Sequence, residues 1–254
     1  MKKKKHLYNK INSEELKFAL ANEPFERITA SFYKYVDISV PNELRDELYE
    51  VWNQMGVFGR VYIADEGINA QVSIPKQNWE IFKDSVRNND LFRDVKIKKA
   101  IQEGSSFYKL KIKVRKELVA YDVPKESYDM RKVGKHLTAS EYNLALDRED
   151  STVVDMRNYY ESEIGRFENA IIPDVETSKE LLPEVKNLLK GKENEKILLY
   201  CTGGIRCEKA SSYLIKSGFK DVSQLQGGII QYAHDIKGND MKSKFRGKNF
   251  VFDD

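Results

Sequence analysis

Both cysteines of this chain lie in one short loop, Cys201-Thr202-Gly203-Gly204-Ile205-Arg206-Cys207. The loop follows residues 196–200 (KILLY), an apolar run that reads as a buried strand. It leads into a helix predicted over residues 207–216, beginning near Arg206 and stopped by Gly218. In sheet proteins of this kind ligands gather at the carboxyl ends of strands, which is where Cys201 falls. The helix start aims its free amides and positive dipole back at the loop. Gly203 and Gly204 let the backbone curl and turn further amides inward. Arg206 adds a fixed positive charge. All of these favour thiolate over thiol, so the sequence predicts a Cys201 that is nucleophilic near neutral pH. A buried structural cysteine before an ordinary turn is the default for a lone Cys; the glycine pair, the arginine and the helix start argue against it. Cys207, in the first helical turn, is close enough to act as a supporting or resolving thiol.

Asp155 and Arg157, at the end of the run at residues 152–156 and just after it, either support the Cys201 loop as an ion pair or touch substrate. A strand-end Asp that ties down a neighbouring loop is the favoured reading. Glu161 and Glu208 read as solvated or supporting. Gly67-Ile68-Asn69 is too short to cradle a phosphate and reads as turn chemistry. Three histidines (His6, His136, His234) lie far apart, and two cysteines do not make a closed zinc site, so no metal site is predicted. Four residues separate Cys201 from Arg206, whereas cysteine phosphatases place five between Cys and Arg. The shorter ring suits a persulfide or another small group better than a phosphate, and Tyr200 stands where those enzymes carry His.

Two domains must position these residues, as the length of 254 residues suggests. The predicted order begins with a helix at residues 13–21 capped by Asn12, ended by Pro24. A strand follows at 28–36 and a helix at 41–55, with Leu44, Leu48, Val51, Trp52 and Met55 at helical spacing. Strands at 60–64 and 69–74 flank the hairpin signal Asp65-Glu66-Gly67. Pro75 opens a helix in which Trp79, Phe82 and Val86 share a face, and strands are predicted at 95–100 and 107–119. That β-α-β-β-α-β order predicts a ferredoxin-like α+β domain with an added strand over residues 25–120, after an N-terminal segment at 1–24. Residues 121–135 are polar and read as a linker. From 136 to 243 strands and helices alternate: a capping box at Thr138 and Glu141 opens a helix to about Asp147, then come a strand at 152–156, a helix at 181–189, the strand at 196–200, a strand at 221–225 and a helix at 229–236. Alternation predicts an α/β domain built on a parallel sheet. Residues 244–254 form a C-terminal extension.

Charge hints at a partner. Residues 1–120 hold 22 Lys and Arg against 17 Asp and Glu, while residues 121–254 hold 21 against 23. The first domain is therefore the better surface for a polyanion. Lys109, Lys111, Lys113 and Arg115 alternate with apolar residues, so on a strand they share one face, able to pair with phosphates. Lys96, Lys98 and Lys99 would widen the patch. Taken alone, the pattern fits a half-buried strand with a solvated face. Phe32, Tyr33 and Tyr35 suit base stacking and ordinary packing equally.

Cys201 through Cys207 resembles the active loop of the rhodanese superfamily. The resemblance extends to Val153-Val154-Asp155-Met156-Arg157, to Glu161, Gly165, Phe167, Asn169-Ala170 and Pro173, and to the glycine turn Gln226-Gly227-Gly228-Ile229. Arg166 departs from the histidine common there. Across nearly the whole chain, Phe32-Tyr33-Lys34-Tyr35, Phe58-Gly59-Arg60-Val61-Tyr62, Glu66-Gly67-Ile68-Asn69-Ala70-Gln71, Lys113-Val114-Arg115, Phe167-Glu168-Asn169-Ala170, Tyr200 through Ala210 and Gly247-Lys248-Asn249-Phe250-Val251-Phe252-Asp253 resemble the bacterial rhodanese-type tRNA uridine hydroxylases. Asp65 stands where relatives commonly have histidine. Longer members continue into a cysteine-rich tail beyond this last motif.

The resemblance implies oxygen-dependent conversion of the wobble uridine of tRNA to 5-hydroxyuridine, with molecular oxygen as co-substrate and tRNA as partner. It also turns the basic strand towards an RNA role. A persulfide-carrying sulfurtransferase is the alternative, and a binding module without turnover is a third class that the intact loop argues against. No cofactor-binding motif is evident: dinucleotide, iron-triad and haem signatures are absent. No apolar run approaches the ~20 residues that span a bilayer. The basic start Met1-Lys2-Lys3-Lys4-Lys5 lacks an apolar stretch behind it and reads as a solvated tail, so a cytoplasmic protein without a membrane is expected. No protein partner is inferable.

Overall fold

The computed structural model describes residues 11–100 and 107–249. The lysine-rich start and residues 250–253 of the C-terminal motif lie outside the described residues. The chain divides into two compact units, one running to Leu118 and one beginning at Val119.

The first unit runs α1 (Ser13–Ala21), β1 (Arg27–Tyr35), α2 (Pro41–Gln54), β2 (Phe58–Ala64), β3 (Gly67–Pro75), α3 (Trp79–Arg87), β4 (Lys98–Lys99) and β5 (Leu110–Val114). The sheet order is β4-β1-β3-β2-β5. Its first four strands are the βαββαβ arrangement expected of a ferredoxin-like fold, and β5 is the added strand, parallel to β2. Pro41 pre-sets the first turn of α2, which buries Leu44, Leu48, Tyr49 and Trp52. In α3 the buried residues are Trp79, Phe82 and Val86, one helical face. Trp52 packs between Phe32 and Phe82 with ring centroids at 6.2 and 5.3 Å, edge-on and tilted geometries that suit aromatic quadrupoles.

Two strands are shorter than predicted. Of residues 95–100 only Lys98 and Lys99 pair, with Ser31 and Ala30 of β1. Of residues 107–119 only 110–114 form a strand, because the partner β2 turns away at Ala64 into the hairpin. Beyond that point the Leu118 amide is satisfied by a side chain instead, donating to Glu66 Oε1 at 2.8 Å.

The second unit runs β6 (Lys135–Leu137), α4 (Ala139–Leu146), β7 (Ser151–Asp155), α5 (Tyr159–Ile164), β8 (Gly165–Phe167), α6 (Ser178–Leu188), β9 (Lys196–Tyr200), α7 (Ile205–Lys216), β10 (Asp221–Leu225), α8 (Gly228–Gly238) and β11 (Phe245–Gly247). The order β6-β10-β9-β7 is parallel throughout, as the alternation predicts. Successive residues of β9 enter different cores: Ile197 and Leu199 join one apolar cluster, Leu198 and Tyr200 the other. Both faces of the sheet are therefore covered, which is why KILLY carries no polar alternation. Thr138 and Glu141 cap α4 reciprocally. The helix expected from residue 181 starts at Ser178, because Thr177 and Glu180 form a second such cap at 3.0–3.2 Å.

Residues 121–135, read as a linker from their polarity, belong to the second unit. Tyr121 is wholly buried. The Asp129 and Gly134 amides donate to the hydroxyls of Ser212 and Ser211 on α7, both at 2.8 Å. Their polar side chains mislead because the segment is held through its backbone. Likewise the start of the extension at 244–254 forms β11, which pairs antiparallel with β8 and sets Phe245 against Phe167 at 5.3 Å. Among the described residues no helix is long and apolar enough to cross a membrane.

Candidate active site

Cys201 directly follows β9 and is buried, while the next residues, Thr202 and Gly203, are half-buried. The Gly204 amide donates to Cys201 Sγ at 3.1 Å. Gly204 sits at φ 102°, a left-handed conformation that glycine adopts without strain, and caps α7. Burial raises the Cys201 thiol, but the Cys207 thiol, the Arg206 charge and the Cys207 and Gly204 amides outweigh it and lower the pKa to about 6. Cys207, in the first turn of α7, is pushed the other way: burial first, and then the neighbouring Cys201, raise its pKa well above the ordinary range. The two thiols thus divide into an ionised and a protonated member.

A second helix holds the loop from outside. The Ile229 and Ile230 amides, in the first turn of α8, donate to the Cys201 and Thr202 carbonyls at 3.0 and 3.1 Å. Gly228, at φ 68°, lies against the same backbone. A Cβ there would stand 2.5 Å from the Cys201 carbonyl oxygen and 2.6 Å from that of Thr202. The Cys201 loop is therefore clamped between the N-termini of α7 and α8. Sequence reading identified the glycine turn by resemblance only and missed its contact with Cys201, which joins residues 27 positions apart.

Arg206 does not stand alone. Its Nη1 and Nη2 donate to Glu161 Oε1 and Oε2 at 2.6 and 2.9 Å, and Nη2 also reaches Thr202 Oγ1 at 3.0 Å. Glu161, expected to be solvated or supporting, is wholly buried and is the bidentate partner of Arg206. Burial raises its pKa, yet the Arg206 hydrogen bonds and charge win and hold it below the usual carboxylate value. Glu161 also accepts from the Asn158 amide at 3.1 Å, so the Asn158-x-x-Glu161 spacing was a legible signal for its placement at the start of α5. The Arg206 field at Cys201 is consequently that of one end of an ion pair. Tyr121 Oη donates to the Arg206 carbonyl at 3.2 Å, a contact hidden in the presumed linker.

Asp155 and Arg157 form a buried pair one strand away. Arg157 Nε and Nη2 donate to Asp155 Oδ1 and Oδ2 at 2.9 and 2.7 Å. Ser162 Oγ and Tyr200 Oη also donate to Oδ2, at 2.8 and 2.6 Å, and Arg157 Nη2 reaches the Gly165 carbonyl at 2.6 Å. These bonds tie β7, α5 and β8 to Tyr200, the residue before Cys201. Glu208 accepts from Gln224 at 3.1 Å and lies 2.8 Å from His136 Nε2. Among the described residues no cluster of three or more His, Cys, Asp or Glu converges to hold a metal.

The basic residues of the first unit do not form one contiguous stripe. Lys109 precedes β5, Lys111 is half-buried, and Lys113 and Arg115 are exposed, while Leu110 and Ile112 point into the core. Lys98 and Lys99 lie on β4, at the opposite edge of the sheet, so they do not widen the β5 stripe. Phe32 belongs to the core, whereas Tyr33 and Tyr35 are half-buried on the other face.

Residues 27–118 match the family model for a UPF0176 acylphosphatase like domain, and residues 138–235 match that for a rhodanese-like domain. Over 252 residues the chain is 52% identical to the tRNA uridine(34) hydroxylase of Leptospira interrogans serogroup Icterohaemorrhagiae, covering 99% of this chain and 69% of that one. Over 250 residues it is 45% identical to the protein of that name from Photorhabdus laumondii, covering 98% of this chain and 71% of the relative.

Proposed function

Because this chain belongs to the family of tRNA uridine(34) hydroxylases, we propose that it converts uridine 34 of tRNA to 5-hydroxyuridine, with Cys201 as nucleophile and molecular oxygen as co-substrate. The observation that supports the role of Cys201 is its thiol, lowered to about 6 inside a loop clamped by two helix N-termini. Uridine 34 lies in a single-stranded loop, so its base is splayed into a protein site at small cost. Cys201 is buried, so the rim at Thr202 and Gly203 opens to admit the ring.

The thiolate adds to C6 of the uracil, and the C5–C6 electron pair moves to C5. Oxygen is taken up at that carbon. Loss of the C5 proton and departure of the thiolate from C6 then restore the ring double bond. Hydroxylation by dioxygen requires two electrons and two protons from a reductant, and the second oxygen atom leaves as water. The lowered pKa of Cys201 serves both halves of the cycle, since a good thiolate is also a good leaving group.

Nucleoside analysis of unmodified tRNA treated with the protein tests the proposal. The parent yields 5-hydroxyuridine at position 34 and Cys201→Ser yields none. Thiouridine in its place would mean that Cys201 carries a persulfide, and neither nucleoside from a folded, reductant-supplied protein would overturn the reading.

A further inference from the structure

The five-stranded sheet of the first unit has a helix-covered face and a second face that is open around Gln71 and closed at Ser73, which is buried. Ala30, Phe32, Val61, Ile63, Ala70, Val72 and their neighbours face α2 and α3 in a single core. On the other face the decisive residue is Gln71. It lies on β3, the central strand, yet it is exposed. A side chain in the middle of a five-stranded sheet reaches solvent only where no element covers that face.

The strand register sets out what surrounds Gln71. One row across the sheet reads Lys98, Ser31, Gln71, Arg60, Lys111, and the next reads Tyr33, Asn69, Tyr62, Lys113. Neither row contains an acidic residue. Cations stand at both edges, and two aromatic rings lie between them, two strands apart or about 10 Å. Lys98 Nζ lies 5.2 Å from the Tyr33 ring centroid, and the Arg115 guanidinium carbon 5.3 Å from that of Tyr62.

We propose that this open face is a docking surface for single-stranded RNA, and, resting on the substrate proposed above, for the anticodon loop that carries uridine 34. Flat aromatic rings offer stacking to bases whose faces are exposed, which a paired helix does not present. The flanking lysines and arginines match the phosphates on either side. A protein partner would need an acidic, apolar surface to satisfy the same rows. RNA supplies both components from one repeating unit.

The test measures binding of the full chain to unmodified tRNA, to a single-stranded RNA of anticodon-loop sequence and to a duplex RNA of equal length, each across a salt series. Lys111→Glu with Lys113→Glu weakens single-strand and tRNA binding at least tenfold and flattens the salt dependence, because two phosphate contacts become repulsive. Tyr62→Ala weakens binding roughly tenfold, the loss of one stacked base, with little change in salt slope. Gln71→Glu, at an exposed position on the same face, weakens it as well and guards against misfolding of the other variants, which circular dichroism checks. Parent-like affinity in all three folded variants overturns the surface, and equal affinity for duplex and single strand overturns its specificity. Binding is read separately from hydroxylation. Normal binding without 5-hydroxyuridine therefore sinks the proposed activity and leaves the docking surface standing.

Discussion

Replacing Gly228 with alanine perturbs the Cys201 loop while leaving every residue of that loop unchanged. Two costs follow from the geometry. Residue 228 sits at φ 68°, where a Cβ costs about 1–2 kcal/mol. That Cβ also falls 2.5 and 2.6 Å from the Cys201 and Thr202 carbonyl oxygens and 2.8 Å from the Gly203 nitrogen, all backbone atoms that cannot rotate away. The loop or α8 must withdraw, which weakens the Ile229 and Ile230 hydrogen bonds to those carbonyls, each worth about 1 kcal/mol. The sum is about 3–4 kcal/mol, a fall in Tm on the order of 10 °C for a unit of this size. Chemistry should suffer more than stability. The Cys207 thiol, the Arg206 charge and the amides that together lower the Cys201 thiol to about 6 act fully only while the loop is curled, so its pH midpoint moves up towards the ordinary value of about 8.5. The assay is alkylation of Cys201 by a small reagent across pH, with the modified residue identified by peptide mapping; Cys207, held protonated, does not compete. Cys201 is buried, so the absolute rate reflects access as well as ionisation; the midpoint reflects ionisation alone. Gly203→Ala is the control, because a Cβ there meets nothing within 4 Å. A Gly228→Ala protein with the parent midpoint and parent activity would refute the clamp.

Four further outcomes are expected. Cys201→Ser abolishes hydroxylation, whereas Cys207→Ser, which removes a thiol held protonated, keeps partial activity and an intact circular dichroism spectrum; full activity in Cys201→Ser would end the nucleophile argument. Arg206→Met raises the Cys201 midpoint and Glu161→Gln lowers it, since the first removes the cation and the second the carboxylate that offsets it; alkylation profiles that coincide for both variants and the parent would disprove the electrostatic account. The Cys201 pKa is lower in the folded chain than unfolded, so its contribution to stability is complete above the unfolded value of about 8.5 and is lost as pH falls through about 6; denaturant titrations of the parent and Cys201→Ser should therefore diverge as pH rises from 6 to 9, and parallel curves would contradict the lowered pKa. Asp155→Ala leaves Arg157 charged and buried without its partner and should cost about 3–5 kcal/mol, read as a lower denaturant midpoint; a loss below 1 kcal/mol would mean that the pair is dispensable.

Much of this protein is determined locally and is therefore visible in the chain alone. KILLY must be a buried strand because every residue after Lys196 is apolar or aromatic, and the sequence marks a helix at 207–216, which in the fold begins two residues earlier, at Ile205 after the left-handed Gly204. Those two facts place a cysteine at a strand end facing a helix N-terminus, and the capping residues Thr138 and Glu141 mark the next element with equal certainty. The ferredoxin-like order follows from the same kind of signal, Pro41 opening one helix and Pro75 ending a strand four residues before the next. What escaped the sequence is every feature that depends on a partner far along the chain. The Asn158-x-x-Glu161 spacing marks Glu161 as a capping residue, but nothing short-range shows that it is buried or that it pairs with Arg206 45 residues away. Tyr121 looks like part of a linker because its neighbours are polar, yet it is buried against α7 through a contact 85 residues long. The limits of β4 and β5 are set by how far β1 and β2 extend as partners, since a strand exists only where its hydrogen bonds are returned. Gln71 is no more polar than many residues in the chain; only its place on the central strand makes its exposure a sign that one face of the sheet is open. Periodicity and turn chemistry act over a few residues and settle the elements, whereas burial, ion pairing and the pKa of Cys201 are sums over atoms that only the folded chain brings together.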